Sequence, residues 1–347
     1  MQTANPMKVG QIGVGNFGRY RRQSMRETGL FKLVAGVDRN PEFLASAKAE
    51  DGMVAVESVE KLLAMPELEG IVISTGIDTH ADFAIKAMEA GKHVFVEKPL
   101  CGTVEEINRL IETRDRTGKI VAMGHGCNAT DPAARLIQQF IKDGTLGTVA
   151  CYEENSSHSG GLEIKPGAWR GLRERNPGGM LMQCGVHSLH RLNYLFGPIK
   201  ELSAMFRYDA NPNTETADVA NVLLRHESGM IGTLNCYHVT AYVHEIRIFG
   251  TRGNLYISTH GEGAFFQPRK CNEVEERVPV PMPKLAKEEQ HANVVNWYRA
   301  VRGQGKADPV LEDGINAVLP IFAAELSDEQ RRVVQIDEIR EQMLAKA

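Results

Sequence analysis

The stretch Gly13-Val14-Gly15-Asn16-Phe17-Gly18 constrains this chain more than any other. This G-x-G-x-x-G loop follows a short apolar run, Val9 to Ile12, and opens into a segment of helical character from Phe17 to Thr28. The first glycine permits a tight turn, the second lets backbone approach a pyrophosphate, and the third lets helix pack on strand; the phosphates then face the positive end of the helix. A second apolar run, Leu33 to Val37, ends in Asp38, about twenty residues after Gly18, where an acid would bind the adenosine ribose hydroxyls. Strand, loop, helix, strand and acid in that order predict a dinucleotide site rather than a structural turn.

The rhythm continues beyond the loop. A helix is expected from Pro41, a short strand over Met53 to Val56, and a helix capped by Ser58. Gly70 to Ser74 and His93 to Val96 are continuous apolar runs of buried-strand type. Between them, Thr75-Gly76 turns the chain into a helix from about Thr79 to Ala90, whose apolar residues share one face. Thr103-Val104-Glu105-Glu106 is a capping box for a helix reaching Thr117, and Ile120 to Met123 reads as another strand. Strands alternating with helices from Met7 to Met123 predict an α/β class with a doubly wound, mostly parallel sheet.

The pattern changes after a helix opened by Asp131-Pro132. Thr148 to Asn155 reads as a strand, Ser156 to Asn176 as a long polar loop containing Trp169-Arg170, and Met180 to Phe196 as an amphipathic helix. Loops that long are uncommon without a functional reason. Short strands over Leu202 to Tyr208, Val219 to Leu224, Met230 to Tyr237, His244 to Phe249 and Asn254 to Ile257, joined by tight turns, favour an antiparallel sheet. Helices are expected around Glu288 to Val301 and Leu311 to Glu325.

A chain of 347 residues exceeds the size at which one core usually stops growing, so two domains are expected. A net charge of -4 gives no reason to expect nucleic acid or an anionic membrane as partner. No apolar run approaches a membrane span, the first residues lack the pattern of a signal peptide, and the six cysteines are scattered without metal-type spacing. Reduced thiols and a cytoplasmic location are the expectation.

One element is highly specific. Glu97-Lys98-Pro99, inside the stretch Ala90 to Leu100, stands with the glycine loop, Gly178-Gly179, Gly185-Val186-His187 and the turn Phe249 to Gly253 in a pattern that resembles the Gfo/Idh/MocA family of oxidoreductases over nearly the whole chain. The resemblance implies an N-terminal Rossmann domain, placed at residues 1–127, and a substrate-binding and oligomerisation domain at 128–347, an α/β unit with a large open, mostly antiparallel sheet. It also implies a nicotinamide cofactor and substrates among sugars, cyclitols and related polyols, with a homodimer or homotetramer expected by family analogy.

The same resemblance assigns candidate roles. Lys98, at the carboxyl end of a parallel strand where such sheets bind ligands, is placed to hydrogen-bond a substrate hydroxyl and stabilise developing negative charge. His187 matches the family's histidine after Gly-Gly and is the candidate proton acceptor, since an ordinary histidine titrates near operating pH. Gln183 stands where the family usually has aspartate, and His190 where it often has a second one. Gln183 and His187 are one helical turn apart, so an amide that cannot exchange protons is expected to hold a substrate hydroxyl beside the histidine.

Trp169 and Arg170 resemble the family's Trp-Arg pair over the nicotinamide, and His125 falls in Gly124 to Asn128, which replaces an arginine-containing stretch. Gly13, Gly15, Asn16, Phe17, Gly18, Asp38, Arg39, Thr75, Gly76, His80, Glu97 and Lys98 form the expected cofactor contacts. Asp38 favours NAD, because it would repel the 2′-phosphate of NADP, although Arg39 could relax that preference. Thr75-Gly76 stands where the family usually has Thr-Pro. A metal at Cys184, His187 and His190 is not expected, since Cys184 points off the His187 face.

The leading reading is therefore an NAD-dependent dehydrogenase acting on a secondary hydroxyl or keto group of a sugar, glycoside or cyclitol. Two alternatives remain at this point. One is an enzyme that uses NAD without net redox to cleave or epimerise glycosides. The other is a catalytically degenerate NAD-binding sensor, for which Gln183 is the sequence argument.

Overall fold

The computed structural model describes residues 5–345 apart from 262, 271, 272 and 274, so Cys271 lies outside the described residues. Two compact units emerge, Met1–Cys127 with Lys287–Ile315, and Asn128–Ala286 with Asn316–Ala345.

In the first unit, strands β1 (Met7–Ile12), β2 (Phe31–Val37), β3 (Val54–Ala55), β4 (Gly70–Ile73), β5 (His93–Val96) and β6 (Val121–Met123) form one sheet in the order β3-β2-β1-β4-β5-β6. Every pairing is parallel. The order reverses beside β1, which is the crevice where open α/β sheets bind ligands. β4 is buried along its whole length, as a strand covered on both faces must be.

The intervening helices are α1 (Phe17–Thr28), α2 (Pro41–Asp51), α3 (Val59–Leu63), α4 (Ile77–Glu89) and α5 (Val104–Thr117). Their ends follow local chemistry. Asn40 and Ser58 accept backbone N–H groups at the starts of α2 and α3, and Thr103 with Glu106 completes the expected capping box of α5. Gly29, Gly52 and Gly118 end α1, α2 and α5 in the left-handed conformation.

The second unit begins with α6 (Pro132–Lys142), whose N-cap is Asp131, and is built on a nine-stranded sheet. Its strands are β7 (Val149–Ser157), β8 (Ile199–Arg207), β9 (Val219–His226), β10 (Ile231–Tyr237), β11 (Val243–Gly250), β12 (Gly253–Ser258), β13 (Gly263–Pro268), β14 (Val278–Val280) and β15 (Val334–Gln335). They lie in the order β14-β13-β12-β11-β7-β10-β9-β8-β15, antiparallel except for the β7–β10 pair. β13 to β15 are absent from the sequence-based expectation. β14 and β15 span only three and two residues, too short for an alternating pattern to register.

α7 (Val186–Phe196) follows a π-helical turn, Leu181–Gly185, where a continuous α-helix from Met180 is expected. Two segments of the presumed loop are 3₁₀ turns, Gly160–Glu163 and Trp169–Gly171, and the loop is anchored by Gly161 N donating to His238 O at 2.8 Å and Glu215 N to Gly171 O at 2.7 Å.

The division at 127/128 needs one amendment. The segment from Lys287 to Ile315 belongs to the first unit, because its helix α8 (Ala292–Val301) carries Trp297 into that unit's core. The indole is fully buried, stacks on Phe31 at 5.7 Å and packs against Phe95 at 5.6 Å. Aromatic area of that size outweighs sequence proximity in deciding where a helix docks. Helix α9 (Leu311–Gln330) begins in the first unit and ends in the second, followed by α10 (Ile336–Ala345).

No disulfide joins Cys101, Cys127, Cys151, Cys184 or Cys236 among the described residues. No described helix is long and apolar enough to cross a membrane.

Candidate active site

The glycine loop lies between β1 and α1, as the motif requires. Gly13 has φ of 81°, and a Cβ there would meet the Ser74 carbonyl oxygen at 2.6 Å. At Gly15 a Cβ would fall within the Phe43 ring, at 2.0 Å from its nearest carbon, so any side chain would displace the start of α2. Gly18 N donates to Gly15 O at 2.7 Å and draws the helix onto the loop.

Asp38 closes the same loop. Its Oδ2 accepts the backbone N–H of Val14 at 2.8 Å and of Gly15 at 3.4 Å, while Oδ1 accepts Asn40 N at 2.9 Å. An ionised carboxylate offers about four acceptor sites, so with three N–H groups accepted, capacity remains for a ribose hydroxyl. Asn16, exposed, has φ of 42° and caps α1 without a side-chain hydrogen bond. No acid occupies the first turn of that helix. A helix N-terminus entered through a glycine turn, with no acid to compete, fits a pyrophosphate. The residues present therefore suit a dinucleotide. Arg39 is exposed beside Asp38.

Three residues that sequence reasoning passed over hold this arrangement. Gln11, fully buried, donates through Nε2 to the carbonyls of Gly13 at 2.9 Å and Gly18 at 3.1 Å. Arg22, also fully buried, donates to the Val14 carbonyl and pairs with Asp51. Arg21 Nε lies 2.7 Å from Glu97 Oε1, with both side chains almost completely buried and the guanidinium 4.7 Å from the Phe95 ring centroid. Helical periodicity puts Arg21 and Arg22 on α1 without showing that either faces inward, and Gln11 sits in an apolar run that gives it no separate signal.

Glu97 and Lys98 follow directly on β5. Glu97 Oε2 is buried and has no hydrogen-bond partner among the described residues, and it packs so closely on Gly124 that a Cβ there would approach to 2.4 Å. Lys98 is half-buried. Thr75 Oγ1 lies 2.7 Å from Thr79 Oγ1, and Gly76 caps α4. His80, on the first turn of α4, does not cap its helix: Nδ1 lies 2.7 Å from the Pro99 carbonyl and Nε2 3.1 Å from the Thr75 carbonyl. Burial pushes its imidazole below the ordinary histidine range, against the opposing pull of the two carbonyls and Glu97. His125 is fully buried in the same unit, and its carbonyl accepts Asn293 Nδ2 at 2.9 Å.

In the second unit, Gln183 and Cys184 sit on the π-helical turn and His187 begins the α-helix beyond it. Single π turns inside helices recur at functional sites. His187 is exposed, Gln183 and Cys184 are half-buried, and His190 is buried with its carbonyl accepting Asn128 Nδ2 at 3.2 Å. Trp169 is 37% exposed, and Arg170 lies 5.2 Å from its ring centroid while the Arg170 carbonyl accepts Asn176 Nδ2 at 2.8 Å.

A cluster of imidazoles gathers at the end of this sheet. Glu154 and Ser156 share one face of β7, where Glu154 pairs with Arg191 of α7, and His158 follows directly beyond the strand. His158 and His238 rings meet edge to face at 5.0 Å, and His244 stacks with Tyr242 at 4.6 Å. Burial, then the neighbouring His158 and Arg170, push His238 down to about 4. Burial, then His260, His158 and Arg191, do the same to His244. These rings are neutral at pH 7, each with one donor and one acceptor.

His158 Nδ1 accepts Gly160 N at 2.8 Å, which places the proton of the neutral ring on Nε2, 3.5 Å from Cys184 Sγ. Nε2 cannot then take a proton from the thiol, so His158 is not placed to act as a base toward Cys184. No group of three or more metal-ligating side chains assembles among the described residues.

Comparison with known proteins agrees with both sheets. Residues 7–125 match the model of an oxidoreductase family described as having an NAD-binding Rossmann fold, and residues 134–256 match the Gfo/Idh/MocA C-terminal domain. The scyllo-inositol 2-dehydrogenase (NAD(+)) of Bacillus subtilis is 31% identical over 209 residues, 58% of this chain and 59% of that enzyme, so the alignment spans less than two thirds of the relative's length. The myo-inositol 2-dehydrogenase of Thermotoga maritima is 22% identical over 96% of this chain and 99% of its own. A crystal structure from Desulfitobacterium hafniense, described as an NADPH-dependent oxidoreductase, superposes with a TM-score of 0.87 at 25% identity, covering 96% of this chain and 99% of that one. With both of its units matched, the chain belongs to the Gfo/Idh/MocA family of NAD-binding oxidoreductases.

Proposed function

We propose that this protein is an NAD-dependent dehydrogenase acting on a secondary hydroxyl of a sugar, glycoside or cyclitol. The observation that carries the reading is the end of β5, where Lys98 follows a carboxylate locked to Arg21 and precedes a carbonyl held by His80. Backbone so held fixes the point from which the Lys98 side chain reaches. The names of the two inositol dehydrogenases aligned above support a polyol as substrate.

Bound NAD supplies the hydride acceptor. Gly13, Gly15, Asn16, Phe17 and Gly18 would offer backbone to its pyrophosphate and Asp38 a carboxylate oxygen to ribose, while Thr75 and Gly76 follow β4 and Glu97 follows β5 at the carboxyl ends of the sheet. Lys98 donates a hydrogen bond to the reacting oxygen and stabilises its negative charge. His187, exposed at the start of its α-helix, accepts the hydroxyl proton. Gln183 holds a second hydroxyl through its amide. Trp169 and Arg170 contribute a partly exposed aromatic face and a charge, and His125 and His190 are buried in their respective units.

Met205 and Leu223, 76% and 55% exposed on β8 and β9, support the expected homo-oligomer, which light scattering would measure. The decisive experiment on function is a screen of cyclitols, sugars and glycosides for NADH formation. Net accumulation of NADH with turnover supports the dehydrogenase, and product formation without it would replace this reading by one in which the hydride returns each cycle.

A further inference from the structure

His80 is a candidate for more than a structural role. It is 1% exposed, and both ring nitrogens face main-chain carbonyls on different loops: Pro99, immediately after Lys98, and Thr75, in the turn after β4. Each of those loops leaves the carboxyl end of a parallel strand at the crevice. On the other side of Lys98, Glu97 is tied to Arg21 at 2.7 Å. The lysine is thus held between two anchors.

A neutral imidazole has one N–H, so it can donate to only one of two carbonyls. We assign the proton to the shorter contact, 2.7 Å from Nδ1 to Pro99, which leaves the Nε2 lone pair toward Thr75 at 3.1 Å. The bond that matters for the ring as a fastener is therefore the one to the Lys98-Pro99 segment. Burial at this position keeps water from replacing it.

We propose that His80 is a positioning residue for Lys98, its Nδ1–H fastening the Pro99 carbonyl so that the lysine is held on the scaffold of α4. The inference rests on the catalytic role proposed for Lys98. It assigns His80 no contact with substrate.

The geometry separates two conservative variants. The amide of asparagine falls near the place of Nδ1, and that of glutamine near the place of Nε2. His80→Phe, which removes both nitrogens, is expected to lower kcat by about 10- to 100-fold, as misplacement of a reacting group does. His80→Asn restores most of that loss and His80→Gln does not. Independently of turnover, hydrogen exchange of the peptide covering residues 97–103 is faster in His80→Phe and His80→Gln than in His80→Asn.

Equal behaviour of the Asn and Gln variants in both exchange and kcat would overturn the proposal, as would a His80→Phe kcat within about twofold of the parent's. If His80→Phe does not fold, the Asn and Gln pair decides the matter alone. Lys98→Ala run in parallel separates the two readings: normal turnover in that variant sinks the catalytic role of Lys98, and the exchange rates then decide whether His80 fastens the segment.

Discussion

Asp38 Oδ2 accepts the backbone N–H of Val14 at 2.8 Å, so the acid expected to meet the cofactor also closes the glycine loop that carries it. The two functions are compatible because one carboxylate serves several donors, but they make Asp38 sensitive in two separate measurements.

NAD is expected to bind more tightly than NADP, since the extra phosphate would approach a carboxylate. Asp38→Ser should narrow the gap in calorimetric titrations and also lower stability by about 1 kcal/mol through loss of the loop hydrogen bond. Equal affinities in the parent protein would overturn the role given to Asp38 and align this chain with its neighbour described as NADPH-dependent.

Lys98→Ala should reduce kcat by about 100-fold or more, the usual cost of losing a donor to developing charge, with NAD binding largely intact. Near-normal kcat would remove Lys98 from the chemistry.

Gln183 and His187 should separate in kinetics. Gln183→Ala is expected to raise KM by an amount equivalent to about 1 kcal/mol, as for one neutral hydrogen bond, with kcat little changed. His187→Ala should depress kcat by about 100-fold and abolish a single histidine-like limb of the pH profile. Retained activity in His187→Ala would mean that the proton leaves by another route.

Acid should destabilise the fold through its buried imidazoles. His238 is held near 4 against an ordinary value of 6.5, chiefly by burial and then by His158 and Arg170. Because the folded state disfavours the proton, the unfolded chain binds more protons between these values, and stability is full above about pH 6.5 and declines as pH falls toward 4. His80, His93, His158, His226 and His244 are shifted the same way. The urea midpoint should therefore fall from pH 7 to pH 5, and His238→Gln should flatten that slope. An unchanged slope would show that His238 is protonated in the fold without cost.

Sequence alone determined what depends on neighbours a few residues away. The glycine loop, the caps at Ser58, Thr103 and Asp131, and the alternation of buried strands and helices were legible because backbone geometry and short hydrogen bonds decide them locally. Glu97-Lys98-Pro99 was legible as a motif. What surrounds it was not, because Arg21 reaches Glu97 across 76 positions of chain and becomes a buried partner only when α1 packs on the sheet. The same holds for Trp297, whose helix joins the first core after the chain has built most of the second unit. The imidazole cluster and the π turn that carries Gln183 likewise belong to tertiary structure: His158 lies just beyond β7, and only the pairing of strands brings His238 and His244 beside it. Burial then sets their protonation, and burial is a property of the packed whole.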